Sequence, residues 1–294
     1  MERYKFYIVD VFAEEKFAGN QLAVVREAAD IPDDMMQKIA REMHFSETTF
    51  ILSDEERDGG YDVRIFTPEA ELPFAGHPTL GTAFVIQQEI VKEKIDKVIL
   101  NLGVGQISVA FAYSGDEVDI LWMKQKAPEF GRSYEREEIA KVIRLEKDAI
   151  DKRFPIQEVS TGFFSLIVPL KNLDAVKRAT LDRDAYYRFV NEGGTPGILV
   201  FAPETYDKNS QLNVRFFAEA MGVFEDPATG SANGCLAGYL VKNRYFGGPK
   251  IDIQTEQGIE INRPSLLYLK AEGIGDSIEV SVGGRVIPVA EGWL

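Results

Sequence analysis

Three short stretches place polar side chains among apolar neighbours: Phe45-Ser-Glu47-Thr-Thr-Phe-Ile, Phe74-Ala-Gly76-His77-Pro-Thr and Asp226-Pro-Ala-Thr-Gly230-Ser231-Ala. A carboxylate set like Glu47, between Phe45 and an apolar strand, is costly if buried and unpaired, which favours a functional reading over a structural one. Gly76-His77 and Gly230-Ser231 each open a segment almost devoid of charge. A glycine leading into a buried helix start offers backbone N–H groups and the positive end of the helix dipole, a setting that suits a carboxylate. Taken singly, most of these residues also have structural uses. Asp226 suits a turn before Pro227, Ser231 an N-cap, and His77 a satisfied imidazole at a helix start. Asn20, after Gly19, reads as a turn residue that could also touch a ligand. His44 reads as a helix-end cap, Cys235 as core, and Arg64 and Arg215 as structural ion-pair partners.

Other chemistries lack their residues. The sequence has no G-x-x-x-x-G-K-[S/T] loop, and Gly103-Val-Gly105 lacks a third glycine and runs into a strand, so no dinucleotide fingerprint is present. The two histidines, His44 and His77, form no H-E-x-x-H pattern, and nothing else proposes a metal site. Thr229 occupies the place where a G-x-S-x-G nucleophile elbow around Ser231 needs glycine. The expectation is an enzyme with no metal and no other cofactor.

The elements that must position these groups are mostly short strands, read at Tyr4–Phe12, Leu22–Val25, Thr48–Leu52, Tyr61–Phe66, Val98–Leu102, Gln106–Ala112 and Val118–Met123. The pattern restarts at Pro155–Val159, Leu166–Leu170, Ile198–Phe201, Leu212–Phe217, Ile251–Gln254, Ser265–Lys270, Ser277–Val282 and Val286–Val289. Asp33–Met43 is an amphipathic helix, and Tyr134–Ile143 and Asp182–Asn191 read as surface helices. Pro78–Gln87 and Ser231–Val241 have no polar face, so each must be enclosed on all sides. Val63-Arg-Ile-Phe66 precedes the first and Val214-Arg-Phe-Phe217 the second. These matching contexts predict an internal duplication in which each half wraps strands around one central helix, with chance as the alternative reading of so few identities. Lys124–Gly131, polar and containing Pro and Gly, reads as a linker. The expected domains are 1–123 and 130–294, the final strand being able to pack back on the first.

Composition agrees with a folded enzyme acting on small molecules. The 294 residues are 45% hydrophobic and 11% aromatic, enough for proper cores and two domains. A formal charge of −14 is the wrong sign for nucleic-acid binding, and it means that an anionic substrate must be held by local donors. The lone Cys235 excludes an internal disulfide and a multi-thiolate metal site. No apolar run is long enough to span a bilayer, and the opening MERYKFYIVDVF lacks the regions of a signal peptide, so a cytoplasmic protein is expected.

Gly19-Asn20, Ser46-Glu47-Thr48, Gly76-His77-Pro78, Ser160-Thr161-Gly162, Asp226-Pro-Ala-Thr-Gly-Ser231, Gln257-Gly258 and Arg263-Pro264-Ser265 follow one another in this chain. In that order they resemble the phenazine-biosynthesis PhzF-like family, which shares the diaminopimelate epimerase fold. The likeness covers nearly the whole sequence. It implies an α+β protein of two pseudo-symmetric domains, each a barrel-like, mostly antiparallel sheet around a buried helix, with the site between them. It implies a cofactor-independent isomerase in which Glu47 replaces one of the two thiols of cysteine-dependent epimerases. It assigns supporting roles to His77, Asp226 and Ser231, and substrate binding to backbone around Gly76 and Gly230. One departure is Gln21, where the family usually has proline after Gly-Asn. Phenazine chemistry itself is not implied.

The expected mechanism is proton abstraction by Glu47 from a carbon activated by conjugation or a carboxylate, followed by return of the proton elsewhere. The expected partner is a small carboxylate substrate, with Asn20 among its contacts, and no nucleic acid or membrane; the oligomeric state, a homodimer included, is left open. Two other readings stand beside this one: a small-molecule binding protein without turnover, and a hydrolase or lyase using Glu47 and Asp226 as an acid–base pair.

Overall fold

The computed structural model describes residues 3–294. Two compact units divide the chain, one running to Lys124 and taking in Gly283–Leu294, the other comprising Gln125–Val282.

In the first unit β1 (Lys5–Val11) and β2 (Asn20–Val25) pair antiparallel, and α1 (Asp33–Met43) carries the chain to β3 (Glu47–Ile51), parallel to β2. Next, β4 (Tyr61–Phe66) runs antiparallel to β3, and the short β5 (Glu71–Leu72) folds back on it. Helix α2 (Gly76–Val85), prolonged by a π-helical stretch Ile86–Val91, leads to β6 (Lys97–Leu102), parallel to β4. β7 (Gly105–Ser114) and β8 (Glu117–Lys124) continue antiparallel, and the last strand of the chain, Val286–Trp293, pairs with β1.

The second unit repeats this order. β9 (Glu129–Tyr134) pairs antiparallel with β10 (Ile156–Ser160), with α3 (Arg136–Val142) between them in sequence. β11 (Phe164–Pro169) follows antiparallel to β10; α4 (Leu173–Arg178) and α5 (Arg183–Asn191) then lead to β12 (Gly197–Ala202), parallel to β11. β13 (Leu212–Ala218) is antiparallel to β12, and β14 (Val223–Asp226) folds back on it. Helix α6 (Gly230–Lys242) leads to β15 (Lys250–Gln257), parallel to β13; β16 (Ser265–Ile274) and β17 (Ser277–Gly284) follow, β16 antiparallel to β15. Strand, return strand, buried helix and parallel strand thus recur in the same sequence in each unit.

The two helices without a polar face are enclosed as their composition requires. Every residue of α2 from His77 to Val85 is buried, and the helix touches β1, β2, β3, β6, β7 and β8. Gly81 permits that approach, since a Cβ there would meet Leu22 Cδ2 at 2.6 Å and Val11 Cγ2 at 2.9 Å. Inside the core the helix is tied to β3 by Thr82 Oγ1 and Thr49 Oγ1, 2.8 Å apart. Helix α6 is buried from Ala232 to Val241 and touches β10, β11, β15 and β16. On α1, Met36 and Ala40 join Val25, Phe50 and Phe66 in a satellite core. Burying each of the larger of these side chains contributes roughly 1.5–3 kcal/mol.

Several boundaries differ from the sequence reading. Tyr134 ends a strand, so α3 starts at Arg136, and both α3 and α5 bury a face: Ile139, Val142, Tyr186 and Phe189 pack with Leu166, Val168, Ile198 and Phe217. Lys124–Gly131 is no loose linker. Gln125 is buried, Pro128 lies where a Cβ on Gly238 of α6 would meet it at 2.8 Å, and β9 begins at Glu129.

Candidate active site

Glu47 is the first residue of β3, in register with Leu22 of β2, so the sheet fixes its backbone while its side chain keeps 16% of its exposure. Its Oε2 lies 3.4 Å from Nε2 of His77, the second residue of α2. The sheet and the buried helix therefore bring together two groups 30 positions apart in sequence. His77 is buried, and burial pushes its imidazole down from 6.5 to about 3, opposed by a backbone hydrogen bond with Gln21. A bond that favours the protonated ring is one to a carbonyl acceptor, and Nε2 makes no hydrogen bond of its own. The ring is thus neutral, with Nδ1 carrying the proton and the Nε2 lone pair on the Glu47 side.

The start of α2 has few internal partners. Its N-cap, Ala75, gives no side-chain cap, Pro78 has no N–H, and the first intrahelical donor is Thr79, to Ala75 O at 3.3 Å. The N–H groups of Gly76 and His77 are left outside the helix ladder. Asn20 opens β2 opposite Val11 and is buried. Gly19 before it has φ +64°, and a Cβ would sit 2.4 Å from Val11 O, so this turn accepts only glycine.

In the second unit Asp226 ends β14, and its Oδ2 accepts from Thr229 Oγ1 at 2.5 Å. Gly230 and Ser231 are the first two residues of α6, whose N-cap is Thr229, again without a side-chain cap. Ser231 is therefore inside the helix and not its N-cap; its carbonyl accepts from Thr161 Oγ1 at 3.4 Å. Cys235 is buried within α6 and donates to Phe163 O at 3.5 Å, and burial pushes its thiol up, as befits core. His44 caps α1 through its backbone: it is left-handed at φ 57°, and its N–H donates to Ala40 O at 3.2 Å. Arg64 pairs with Asp33 and Glu71, Arg215 with Glu225.

The sequence reading missed the groups that hold Asp226 in place. Gln257, Asn233 and Thr255 are fully buried and hydrogen-bond one another and the Asp226–Gly230 loop. Asn233, an amide in a helix otherwise almost free of polar side chains, was the readable sign. Among the described residues no group of three or more His, Cys, Asp or Glu side chains is placed to hold a metal, and no helix is long and apolar enough to cross a membrane.

The hydroxyproline epimerase of Agrobacterium vitis overlays with a TM-score of 0.63 at 11% identity, covering 100% of this chain and 91% of that one, and so shares the fold. A PhzF-family phenazine biosynthesis protein of Bacillus anthracis overlays with a TM-score of 0.90 at 27% identity, over 100% and 99% of the two chains. The fold is therefore the epimerase-like α+β fold, mostly strands, with six α-helices among the described residues. Residues 9–292 match the family model of phenazine biosynthesis-like proteins, PhzC-PhzF. The trans-2,3-dihydro-3-hydroxyanthranilate isomerase of Pseudomonas aeruginosa is 36% identical, with 98% of each chain covered. This chain belongs to the PhzF family and is an isomerase.

Proposed function

We propose that this isomerase moves a proton on a small carboxylate-bearing molecule, with Glu47 taking the proton from carbon and returning it. The observation that carries the reading is the contact of a partly exposed Glu47 carboxylate with a buried, neutral His77 at an uncapped helix start. When Glu47 takes the substrate proton, its O–H gains an acceptor in the Nε2 lone pair, so the protonated base is stabilised without any charge appearing on the ring. The electron pair left on carbon moves into the adjoining conjugated or carboxylate system. Delivery of the same proton to another carbon of the conjugated system completes the isomerisation with no net change in atoms. The N–H groups of Gly76 and His77, outside the helix ladder, suit the substrate carboxylate. Asn20 and Gly230 are proposed as further substrate contacts, Asp226 as a hydrogen-bonding partner of its polar groups and Ser231 as a positioning hydroxyl. No step calls for a metal or an organic cofactor.

The substrate named for the Pseudomonas aeruginosa relative, trans-2,3-dihydro-3-hydroxyanthranilate, is the first compound to assay. The test is turnover in deuterated water with Glu47→Gln beside the unaltered protein. The amide keeps the shape and loses the basicity, so the rate should fall by about 10²–10⁴-fold or more, carbon-bound exchange should stop and ligand affinity should persist. A Glu47→Gln protein with near-normal rate sinks the reading.

A further inference from the structure

The loop from Asp226 to Gly230 is held from beneath by Gln257, the last residue of β15. A fully buried amide must satisfy both N–H donors and its carbonyl. Gln257 Nε2 donates to Asp226 O at 2.8 Å and to Thr229 Oγ1 at 3.0 Å. Its Oε1 accepts from Thr229 N at 3.2 Å and from Asn233 Nδ2 at 2.9 Å. A backbone carbonyl on one side and a backbone N–H on the other leave the amide one orientation. Asn233 is fixed in the same way, Nδ2 donating to Thr229 O at 3.0 Å and Oδ1 accepting from Thr255 Oγ1 at 2.9 Å.

This orientation decides where the Thr229 proton goes. The hydroxyl has one proton, and because its oxygen accepts from Gln257, that proton is committed to Asp226 Oδ2 at 2.5 Å. The support cannot slide. Gly258 has φ +75°, and a Cβ there would meet Arg263 O at 2.4 Å and Pro227 O at 2.6 Å. The residue that follows Gln257 is thus packed against Pro227 in the loop that carries Asp226.

We propose that Thr229 and Gln257 are positioning residues: a directed hydrogen-bond relay, Gln257 amide to Thr229 hydroxyl to Asp226 carboxylate, aims that carboxylate for substrate. The functional half rests on the reading of Asp226 given above; the relay itself rests on the buried network alone.

The experiment compares Thr229→Val, Thr229→Ser, Asp226→Asn and the Thr229→Val/Asp226→Asn double variant with the unaltered protein. The readouts are kcat and KM for trans-2,3-dihydro-3-hydroxyanthranilate, with urea unfolding of each variant. Thr229→Val keeps the shape and removes the donor, so KM should rise about tenfold, the usual weight of one hydrogen bond to a charged group. Thr229→Ser should recover to within about twofold, and the double variant should be no worse than Asp226→Asn alone, since both changes break one unit. A merely structural Thr229 lowers the active fraction, and so kcat, at constant KM. Unchanged kinetics in Thr229→Val beside an impaired Asp226→Asn overturns the relay, as does strict additivity in the double variant. A silent Asp226→Asn instead removes the reading of Asp226, a separate failure. If the unaltered protein does not turn over this compound, urea unfolding decides the relay: non-additive effects of the two changes uphold it and additive ones overturn it.

Discussion

Replacing His77 with Asn should make the protein less sensitive to mild acid. Burial holds the imidazole down at about 3 against 6.5 for the free group, so the folded chain declines a proton that the unfolded chain accepts. The sign follows directly. Above 6.5 neither state binds the proton and His77 costs nothing; below it the unfolded state alone binds, and stability falls with pH until the folded ring also titrates near 3. From about pH 7 to about pH 5, at 1.36 kcal/mol per unit, the loss is ~2 kcal/mol. The group is almost wholly buried, so screening by solvent does little to reduce it. The assay is urea unfolding of unaltered and His77→Asn protein at both pH values. Any packing lost with the ring is the same at both and cancels in the difference. Repeating the pair on a Glu47→Gln background removes the neighbour's own titration. Equal pH slopes for the two proteins would refute the neutral ring. A slope favouring the unaltered protein in acid would mean an imidazolium paired with Glu47, and the proposed role of Nε2 as acceptor would fall with it.

The other expectations are simpler. Cys235→Ala should retain most activity at a stability cost of about 1–2 kcal/mol, as for a small buried side chain lost from a core; rapid inactivation by a thiol reagent with protection by substrate would show that chemistry has been misplaced. A chelator should leave the rate unchanged, because no step uses a metal; loss of activity restored by adding metal back would contradict the proposed mechanism.

Much of the fold was legible because its strands are β-branched runs bounded by turn residues, and because two helices lacked a polar face. Tyr61–Phe66 and Asp33–Met43 carry their own periodicity and were readable to the residue. β9 was not: Glu129-Phe-Gly-Arg-Ser-Tyr134 is half polar and becomes a strand by pairing with β10. α4 has only six residues, too few for a period to show, though its N-cap, Asn172 accepting from Ala175 N at 3.0 Å, is a local signal. Within the candidate site, Glu47 and His77 stood out as polar groups in apolar settings. Thr229 and Gln257 entered only as motif residues without a role of their own, because they lie 28 positions apart and their partnership is made by the fold.

The duplicated arginines show how one device carries different weight in two settings. Arg64 on β4 grips Glu71 on the return strand β5 at 2.8 Å, and Arg215 on β13 grips Glu225 on β14 at 2.7 Å, each just ahead of a buried helix. Each guanidinium also lies over the phenylalanine two residues on, Phe66 or Phe217. Arg64 and Glu71 are 25% and 44% exposed, a setting in which an ion pair contributes about 0–1 kcal/mol. Arg215 and Glu225 are 9% and 4% exposed, and Arg215 Nη1 also donates to the carbonyls of Val176, Lys177 and Ala179. Removing one partner of a buried pair costs about 3–5 kcal/mol, because the other charge is stranded. Asp226 follows Glu225 directly, so the strand end that carries it is clamped by Arg215 on one side and by Gln257 on the other. A carboxylate meant to meet changing charge on a substrate works best when it need not reorganise. The heavier version of the repeated clamp stands beside Asp226, where such rigidity would serve the role proposed for that carboxylate.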